Sequence, residues 1–312
     1  MKYIVTGAAG FIGSNLAERL VRTGREVVGI DCFLDYYPRA IKERNLARLR
    51  ASANFTFREE DLLAADLGSL IGEDDRIFHQ AAQAGVRASW GGDFAIYTEN
   101  NVRATQVLLE ACRGKRIGRL VYASSSSIYG DAETLPTAED ALPRPVSPYG
   151  VSKLAGEHLC YLYWRNFGVP STSLRYFTVY GPRHRPDMAF HRLIRAAFTG
   201  ETFTLFGSGE QSRDFTFVDD IVDANLAAAE LDGPADVLNV GGGSRVSVNQ
   251  AIEVIEELVG KRIAIRRQGT EHGDVTHTAA DIARATARIG YRPKVDIRAG
   301  LAAQVAWQKS LP

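Results

Sequence analysis

The amino-acid sequence predicts an α/β protein in which a doubly wound parallel sheet is followed by a smaller α/β lobe. Short apolar segments alternate with longer amphipathic segments from the first residues onward. Alternation of this kind is typical of parallel sheets with helices on both faces. The sequence predicts strands at 3–5, 26–30, 55–59, 76–79, 120–123 and 172–177, and helices at 11–21, 98–112 and 149–167.

The regular alternation ends after Thr178, where Gly-Pro and Arg-Pro pairs indicate loops. We assign residues 1–177 to the sheet domain, and we expect 215–241 to return to it. Residues 178–312, less the returning segment, would form the smaller lobe. Beyond Thr178 the sequence predicts helices at 189–198, 219–231 and 248–259 and short strands at 215–218 and 237–240.

Composition and charge exclude several classes of protein. The 312 residues include 37 Lys and Arg against 37 Asp and Glu, so no basic excess favours nucleic acid or an anionic membrane as a partner. The cysteines Cys32, Cys112 and Cys160 are widely spaced, which favours free thiols over a disulfide framework or a metal centre. An apolar strand begins at once and no run is long enough to span a bilayer, so we expect a cytoplasmic protein.

A glycine-rich turn joins the first strand to the first helix. Gly7, Gly10 and Gly13 enclose Phe11 and Ile12 in a GxxGxxG pattern. Glycine lets the backbone approach a pyrophosphate, and the helix N-terminus offers free N–H groups and a positive dipole. A purely structural turn is the alternative, but the strand–turn–helix context favours a Rossmann-like, dinucleotide-binding domain.

Acidic and small residues follow the next strands. A carboxylate at Asp31, after the second strand, would accept hydrogen bonds from ribose hydroxyls and repel a 2′-phosphate, which favours NAD over NADP. Alternatively, Asp31 is a solvated turn acid. Asp61 and Leu62 would bracket the adenine. Ala81 and Ala82, which follow Gln80, are small residues that would leave room for the cofactor or simply allow tight packing.

Tyr149 and Lys153 lie one turn apart at the start of a helix that Ser147 would cap and Pro148 would open. A nearby ammonium and the helix N-terminus would both favour the phenolate, so Tyr149 is a candidate general base. The alternative is that the two side chains merely share a surface helix.

Four serines, Ser124 to Ser127, follow the fifth strand. Ligands of doubly wound sheets bind outside the carboxyl ends of the strands, so a hydroxyl here would reach a bound substrate. We select Ser125 as the catalytic serine and expect Ser126 and Ser127 beside the substrate.

Together these motifs resemble the extended short-chain dehydrogenase/reductase family, and most of all its nucleotide-sugar epimerases. The resemblance covers nearly the whole chain. It rests on TGAAGFIGSNL, HQAA, SSSSIYG, SPYGVSKLAGE, RYFTVYGPR and GSGEQSRDFTFVDD. It implies an NAD-binding Rossmann domain at 1–177, a nucleotide-sugar-binding lobe after it, and a homodimer formed through helices at 100–113 and 149–167.

The resemblance also implies roles for single residues. Tyr149 would be the catalytic base, and Lys153 would hold the nicotinamide ribose and lower the pKa of Tyr149. Ser125, four residues before the tyrosine of the IYG run, would be the third catalytic residue. Asn101 would lie near the cofactor, and Phe177 would line the nicotinamide pocket.

The serine run also bears on the type of reaction. Dehydratases of this family, and UDP-glucuronate decarboxylases similarly, carry an acidic residue where this chain has Ser126 and Ser127. The resemblance therefore favours epimerisation through a transient 4-keto sugar. The alternatives are decarboxylation of UDP-glucuronate and a non-catalytic NAD-sensing protein.

The stretch 175–190 is similar to the UDP-glucuronate 4-epimerase subgroup. Thr178 replaces the Asn that is usual in UDP-galactose 4-epimerases, which favours the uronate. The alternative is UDP-glucose/UDP-galactose 4-epimerisation. Arg185 would clamp the sugar carboxylate, because guanidinium and carboxylate match bidentately. Arg87 is a second candidate. The alternative for Arg185 is a solvated loop charge.

Contacts with the UDP moiety complete the expected site. Arg213 would grip the diphosphate, and Asp274 would lie near the nucleotide, although His272 stands where the family often has Arg. The segment from Met188 to Arg192, which contains Phe190, would form the uracil pocket, largely through its backbone.

Overall fold

The computed structural model describes residues 1–269 and 275–311. The strands of these residues are β1 (Tyr3–Thr6), β2 (Val27–Asp31), β3 (Phe55–Glu59), β4 (Arg76–His79), β5 (Arg119–Ser125), β6 (Ser171–Tyr176), β7 (Val179–Tyr180), β8 (Phe203–Phe206), β9 (Ser212–Asp214), β10 (Thr216–Phe217), β11 (Asp236–Val240), β12 (Arg245–Ser247) and β13 (Ile265–Gln268).

The α-helices are α1 (Phe11–Arg22), α2 (Arg39–Arg50), α3 (Leu67–Leu70), α4 (Phe94–Tyr97), α5 (Ala104–Cys112), α6 (Pro148–Phe167), α7 (Ala189–Thr199), α8 (Val218–Ala228), α9 (Val248–Val259), α10 (Ala283–Ile289) and α11 (Ile297–Lys309). Short 3₁₀ turns cover Arg87–Ser89, Gly91–Asp93 and Ser126–Ile128, and a π-helical segment covers Thr98–Arg103.

Seven parallel strands form the main sheet, in the order β11-β6-β5-β4-β1-β2-β3. The inner strands β1, β5 and β6 are buried along their whole length, as expected for a sheet covered on both faces. The predicted α/β doubly wound fold is confirmed. The direction of winding changes between β1 and β4, and this is the switch point where ligands of such sheets bind.

The helix predicted over 98–112 is interrupted, because Thr98–Arg103 forms a π-helical segment ahead of α5. Asn101 lies in this segment. Its side-chain amide donates to the carbonyl of Gln83 and to Oγ of Ser152, and its carbonyl oxygen Oδ1 accepts from the Gln83 amide. The segment therefore joins the loop after β4 to helix α6.

The residues after β7 build a second apolar core. This core is formed mainly by α7, α9 and α11, with aromatic residues of β8 and β10. Three two-stranded pairings, β7 with β10, β9 with β12 and β8 with β13, surround it. Strand β11 pairs with β6 in the main sheet, so the chain crosses back after α8.

None of the helices within 1–269 and 275–311 is both long enough and apolar enough to span a membrane.

Candidate functional site

A cavity at the carboxyl ends of the main-sheet strands brings together most of the predicted cofactor residues. It lies at the switch point, between the glycine-rich turn and the start of α6. The predicted residues that line it are Gly7, Gly10, Phe11, Ile12, Gly13, Asp31, Asp61, Leu62, Gln80, Ala81, Ala82, Tyr149, Lys153 and Arg185.

The glycine-rich turn is packed too tightly for side chains. A Cβ on Gly7, whose φ is +68°, would lie 2.7 Å from the backbone nitrogen of Ala81, and one on Gly13 would lie 2.1 Å from the Gly7 carbonyl oxygen. Helix α1 has neither a side-chain N-cap at Gly10 nor an acidic residue in its first turn. Its first N–H groups and its positive dipole are therefore available to an anionic ligand in the cavity.

Asp31 is fixed by two backbone amides at the end of β2. Oδ2 accepts from the Ala9 N–H at 3.0 Å, and Oδ1 accepts from the Phe33 N–H at 2.9 Å. Burial raises the pKa of the Asp31 carboxyl, although these two hydrogen bonds oppose that effect. Each carboxylate oxygen retains a further lone pair that can accept from a hydroxyl of a ligand.

Lys42, which the sequence motifs did not predict, lines the cavity beside Asp31. Its Nζ donates to the Leu34 carbonyl, and burial lowers its pKa while the charge of Asp31 opposes that effect. A signal was present in the sequence, because Lys42 precedes Leu46 and Leu49 at helical spacing on the buried face of α2.

Helix α6 places Tyr149 in the cavity. As predicted, Ser147 caps this helix by accepting from the Gly150 N–H at 3.1 Å, and Pro148 occupies its first position. Tyr149 is hydrogen bonded to Ser125, and its ring meets the edge of Tyr97 at 6.2 Å between centroids. The Ser125 hydroxyl thus contacts the predicted base.

The pKa of Tyr149 differs from the expected direction. Burial raises it above the usual value, and the opposing effects of the Ser125 hydrogen bond and the Arg185 charge are smaller. Lys153 does not reverse this, because burial lowers its own pKa to about 7. Its Nζ donates to the Ala123 carbonyl at 2.9 Å and lies 5.2 Å from the centre of the Tyr122 ring.

The serine run is hydrogen bonded to the buried ion pair of Glu157 and Arg175. Ser124 lines the cavity and donates to Oε1 of Glu157 at 2.5 Å, and Arg175 binds both oxygens of that carboxylate. Ser125 accepts from the Ser127 N–H at 3.1 Å. Ser126 and Ser127 lie in the 3₁₀ turn that follows.

Asn101 and Phe177 lie behind the cavity wall. Asn101 is 1% exposed, and its side chain is hydrogen bonded to Gln83 and Ser152. Its neighbour Asn100 lines the cavity. Phe177 packs against Ile128 and Tyr129, and Tyr176 lines the cavity in its place. Their predicted contacts with a cofactor stay predictions.

The predicted substrate residues are more dispersed. Arg87 lies over the ring of Phe206 at 4.4 Å. Phe190 is 2% exposed and packs against Phe215 with 4.5 Å between ring centroids, so its side chain belongs to the core of the second lobe. The carbonyl of Thr178 accepts from the Thr216 N–H.

The remaining predicted residues are Met188, Arg213 and Asp274. Met188 precedes α7, with its sulfur 3.2 Å from Nη2 of Arg185. Arg213 donates to the carbonyls of Ser212 and Thr276 at 3.0 and 3.1 Å. Asp274 lies outside the described residues, as does His272.

The sequence and the fold were compared with known proteins. Residues 3–241 match the model of the family described as "NAD dependent epimerase/dehydratase family". A Bacillus subtilis protein named "Uncharacterized UDP-glucose epimerase YtcB" is 45% identical, over 100% of this chain and 99% of that protein. A UDP-glucuronate 4-epimerase of Thermodesulfobacterium geofontis is 38% identical, over 98% of this chain and 96% of the relative.

The fold is similar to that of a solved enzyme. The structure of UDP-glucuronic acid 4-epimerase from Bacillus cereus in complex with UDP-glucuronic acid and NAD matches with a TM-score of 0.96. The two chains are 44% identical, and the match covers 99% of each.

Proposed function

The chain belongs to the NAD-dependent epimerase/dehydratase family, and from that premise we propose that it interconverts UDP-glucuronate and UDP-galacturonate by epimerisation at C4. One observation carries the proposal. Tyr149, Lys153 and Arg185 line the same cavity as the glycine-rich turn and Asp31, so a proton acceptor and a carboxylate-binding cation stand beside a dinucleotide site.

The cavity fits NAD. The uncapped N-terminus of α1 suits a pyrophosphate, and the carboxylate of Asp31 suits the two hydroxyls of an unmodified ribose. Lys153, whose Nζ donates to the Ala123 carbonyl at the end of β5, would hold the nicotinamide ribose. When bound, NAD supplies the acceptor for the hydride that leaves C4 and returns it to the opposite face.

The protein side chains handle the proton. Tyr149 accepts the proton of the C4 hydroxyl, and Ser125, which is hydrogen bonded to it, aligns that hydroxyl. Because burial raises the pKa of Tyr149, the phenolate needs positive charge nearby. Arg185 provides such a charge. Bound NAD would add the positive charge of its oxidised nicotinamide.

The carboxylate of the sugar must be held throughout the reaction. Oxidation at C4 makes a β-keto acid, which loses CO₂ when negative charge develops next to the carbonyl. We propose that Arg185 and Thr178 hold the carboxylate and so disfavour this loss. Arg213 would bind the diphosphate, and Met188 and its neighbours would bind the uracil.

The two-part organisation and the assembly also belong to the proposal. Residues 1–177, with 215–241, would bind NAD, and the rest of 178–312 would bind the UDP-sugar. The protein would act as a homodimer through α5 and α6. Tyr163 on α6 is 4% exposed and packs in the core, whereas Val151, Tyr161 and Leu162 on the same helix are exposed.

A direct assay tests the function. Purified protein is incubated with UDP-glucuronate, UDP-galacturonate, UDP-glucose and UDP-galactose in turn. The products are separated by chromatography, and their masses are measured by mass spectrometry. We expect the two uronates to interconvert without change of mass. Loss of CO₂ would identify a decarboxylase. Turnover of the neutral sugars alone would favour the UDP-glucose reaction, which the name of the Bacillus subtilis relative supports.

The role of Arg185 is tested by its replacement with Ala. Loss of the guanidinium removes a charge-assisted, bidentate contact, so the affinity for UDP-glucuronate should fall about tenfold or more, while that for UDP-glucose changes little. Competition binding against UDP measures both. Equal losses for the acidic and the neutral sugar would exclude the carboxylate-binding role.

A further inference from the structure

Arg185 is held in the cavity by an acidic residue of its own segment. Nε of Arg185 donates to Oδ1 of Asp187 at 3.0 Å, and Nη2 donates to Oδ2 at 2.9 Å. The side chain of Arg185 is 17% exposed and that of Asp187 is 37% exposed, so the pair is partly shielded from water. Shielding makes such a pair more rigid and stronger than an exposed ion pair.

A tyrosine from the first lobe completes the cluster. Tyr36 lies between β2 and α2, and its hydroxyl donates to Oδ2 of Asp187 at 3.2 Å. The guanidinium carbon of Arg185 lies 5.7 Å from the centre of the Tyr36 ring, within reach of a cation–π contact. Asp187 therefore accepts hydrogen bonds from Tyr36 in the first lobe and from Arg185 in its own segment. These contacts fix the position of Arg185 relative to Tyr36.

The contact leaves one edge of the guanidinium available. Asp187 occupies the side edge, formed by Nε and Nη2, and within the described part of the chain Nη1 makes no hydrogen bond. Nη2 also lies 3.2 Å from the sulfur of Met188, but a thioether is a weak acceptor that a carboxylate would displace. A guanidinium can bind a second carboxylate through its end edge, formed by Nη1 and Nη2. Arg185 and Asp187 together carry no net charge, so the pair does not repel a second carboxylate.

Asp187 is ionised at neutral pH. Burial acts to raise the pKa of its carboxyl, but the adjacent Arg185 outweighs burial and lowers it. The ion pair with Arg185 therefore persists across the pH range of an ordinary assay, and the orientation of the guanidinium persists with it.

We propose that Asp187 is a positioning residue that fixes Arg185 by its side edge and presents the end edge to the carboxylate of an acidic sugar. This inference rests on the proposed function. It makes Asp187 a determinant of the preference for uronates over neutral sugars, although Asp187 itself touches no substrate. Preorganisation is the physical reason, because a fixed side chain loses less conformational freedom when the ligand binds.

The test is a double-mutant cycle on binding. Affinities for UDP-glucuronate and UDP-glucose are measured by calorimetry with NAD-loaded protein that carries Tyr149→Phe, so that neither ligand is turned over. Asp187→Asn keeps the size of the side chain but removes the bidentate acceptor. We expect it to weaken UDP-glucuronate about tenfold and to leave UDP-glucose within about twofold. In an Arg185→Ala background the same substitution should have no effect on either ligand.

Each other outcome overturns the proposal. Equal weakening of both sugars, or weakening that persists without Arg185, would mean that Asp187 only supports the loop. Tighter binding of UDP-glucuronate would mean that Asp187 competes with the substrate. Asp232→Asn, an exposed acid at the opposite end of the sheet, is the matched control. The assay of the unmodified protein separately decides the proposed function: if that protein epimerises the uronates and Asp187→Asn binds them normally, only the present inference fails.

Discussion

Tyr149 and Lys153 lie one helical turn apart on α6, and burial acts on their pKa values in opposite directions. It raises the pKa of the phenol and lowers that of the ammonium to about 7. Both shifts favour the neutral forms, because a charged group loses hydration when it is buried. The pair is therefore prepared for a charged ligand, whose binding would decide which of the two side chains carries charge.

Replacement of Tyr149 by Phe tests the proton-transfer role. The substitution removes the hydroxyl and its hydrogen bond with Ser125, and leaves the ring in place against Tyr97. We expect kcat to fall by about 10²- to 10⁴-fold or more, with the amount of NAD bound unchanged. Tyr161→Phe on the exposed side of the same helix is the control and should keep full activity. Turnover that survives in Tyr149→Phe would exclude Tyr149 as the base.

His79 is a second buried group that burial keeps neutral. It is 1% exposed, and burial lowers its pKa to about 3. Nδ1 lies 2.8 Å from Oγ1 of Thr6, and Nε2 lies 3.0 Å from Oγ1 of Thr105. Since the Thr105 hydroxyl donates to the Asn101 carbonyl, Nε2 must carry the ring proton and Nδ1 must accept.

The shift at His79 predicts how stability depends on pH. Between about pH 6.5 and the folded-state pKa of about 3, the unfolded chain binds a proton that the native protein does not, so stability falls as the pH falls. His79→Gln should reduce the slope by up to about 1.4 kcal/mol per pH unit in that range. Urea unfolding at several pH values measures it, and His158→Gln, an exposed histidine, is the control. Identical slopes for His79→Gln and the unmodified protein would contradict the assignment.

At single residues, local sequence patterns predicted what local structure decides. The glycine-rich turn, the Ser147 cap and the joint placement of Tyr149 and Lys153 follow from spacing along one strand or one helix. The direction of the Tyr149 pKa did not follow, because burial depends on residues distant in sequence, such as Tyr97. Asp187 was missed for the same reason: its role depends on Tyr36, which lies 151 positions away.

At the scale of elements, α6 connects the reacting residues to the sheet. Its N-terminal turn carries Tyr149, and farther along it Gly156 packs directly on Tyr122 of β5. This close approach fixes how near Lys153 lies to the carboxyl end of β5, where its Nζ donates to the Ala123 carbonyl. Periodicity predicted α6 from Tyr149 to Phe167, but it could not distinguish the π-helical segment at Thr98–Arg103 from an ordinary helix, because both place similar side chains inward.

Gly156→Ala tests the packing of α6 on the sheet. A Cβ there would lie 2.1 Å from the hydroxyl oxygen of Tyr122, and that ring is 1% exposed and has no free space to move into. We expect a loss of about 1–3 kcal/mol in the free energy of unfolding, with a lower kcat because α6 must move outward. Gly68→Ala in α3, where the nearest contact of a Cβ is at 3.5 Å, is the control. Equal melting temperatures for both variants would contradict the packing argument.

At the scale of the whole molecule, the two lobes meet around the cavity, and several contacts cross between them. Nδ2 of Asn15 in α1 donates to the Pro182 carbonyl, and Arg183 pairs with Glu18 of α1. Strand β11 extends the sheet of the first lobe. Of the segment 215–241, which the sequence predicts to return to the sheet, β11 pairs with β6, whereas β10 pairs with β7 outside the main sheet. The positions of α10 and α11 were not predicted, because their apolar patterns are short and their packing partners lie in distant segments.

The exposed apolar residues of α6 make the proposed homodimer testable. Val151, Tyr161 and Leu162 are 48%, 55% and 39% exposed on this long helix, and an apolar surface of this kind is commonly covered by a partner. Leu162→Glu would place a charge in the interface and should convert a dimer to a monomer, as measured by sedimentation velocity, with the fold retained by circular dichroism. Leu142→Glu, at an exposed leucine outside the described helices, is the matched control and should remain dimeric. A monomeric unmodified protein would contradict the proposed homodimer. A dimer that survives Leu162→Glu would place the subunit contact elsewhere, because a desolvated carboxylate at the centre of an apolar interface cannot be accommodated without a partner.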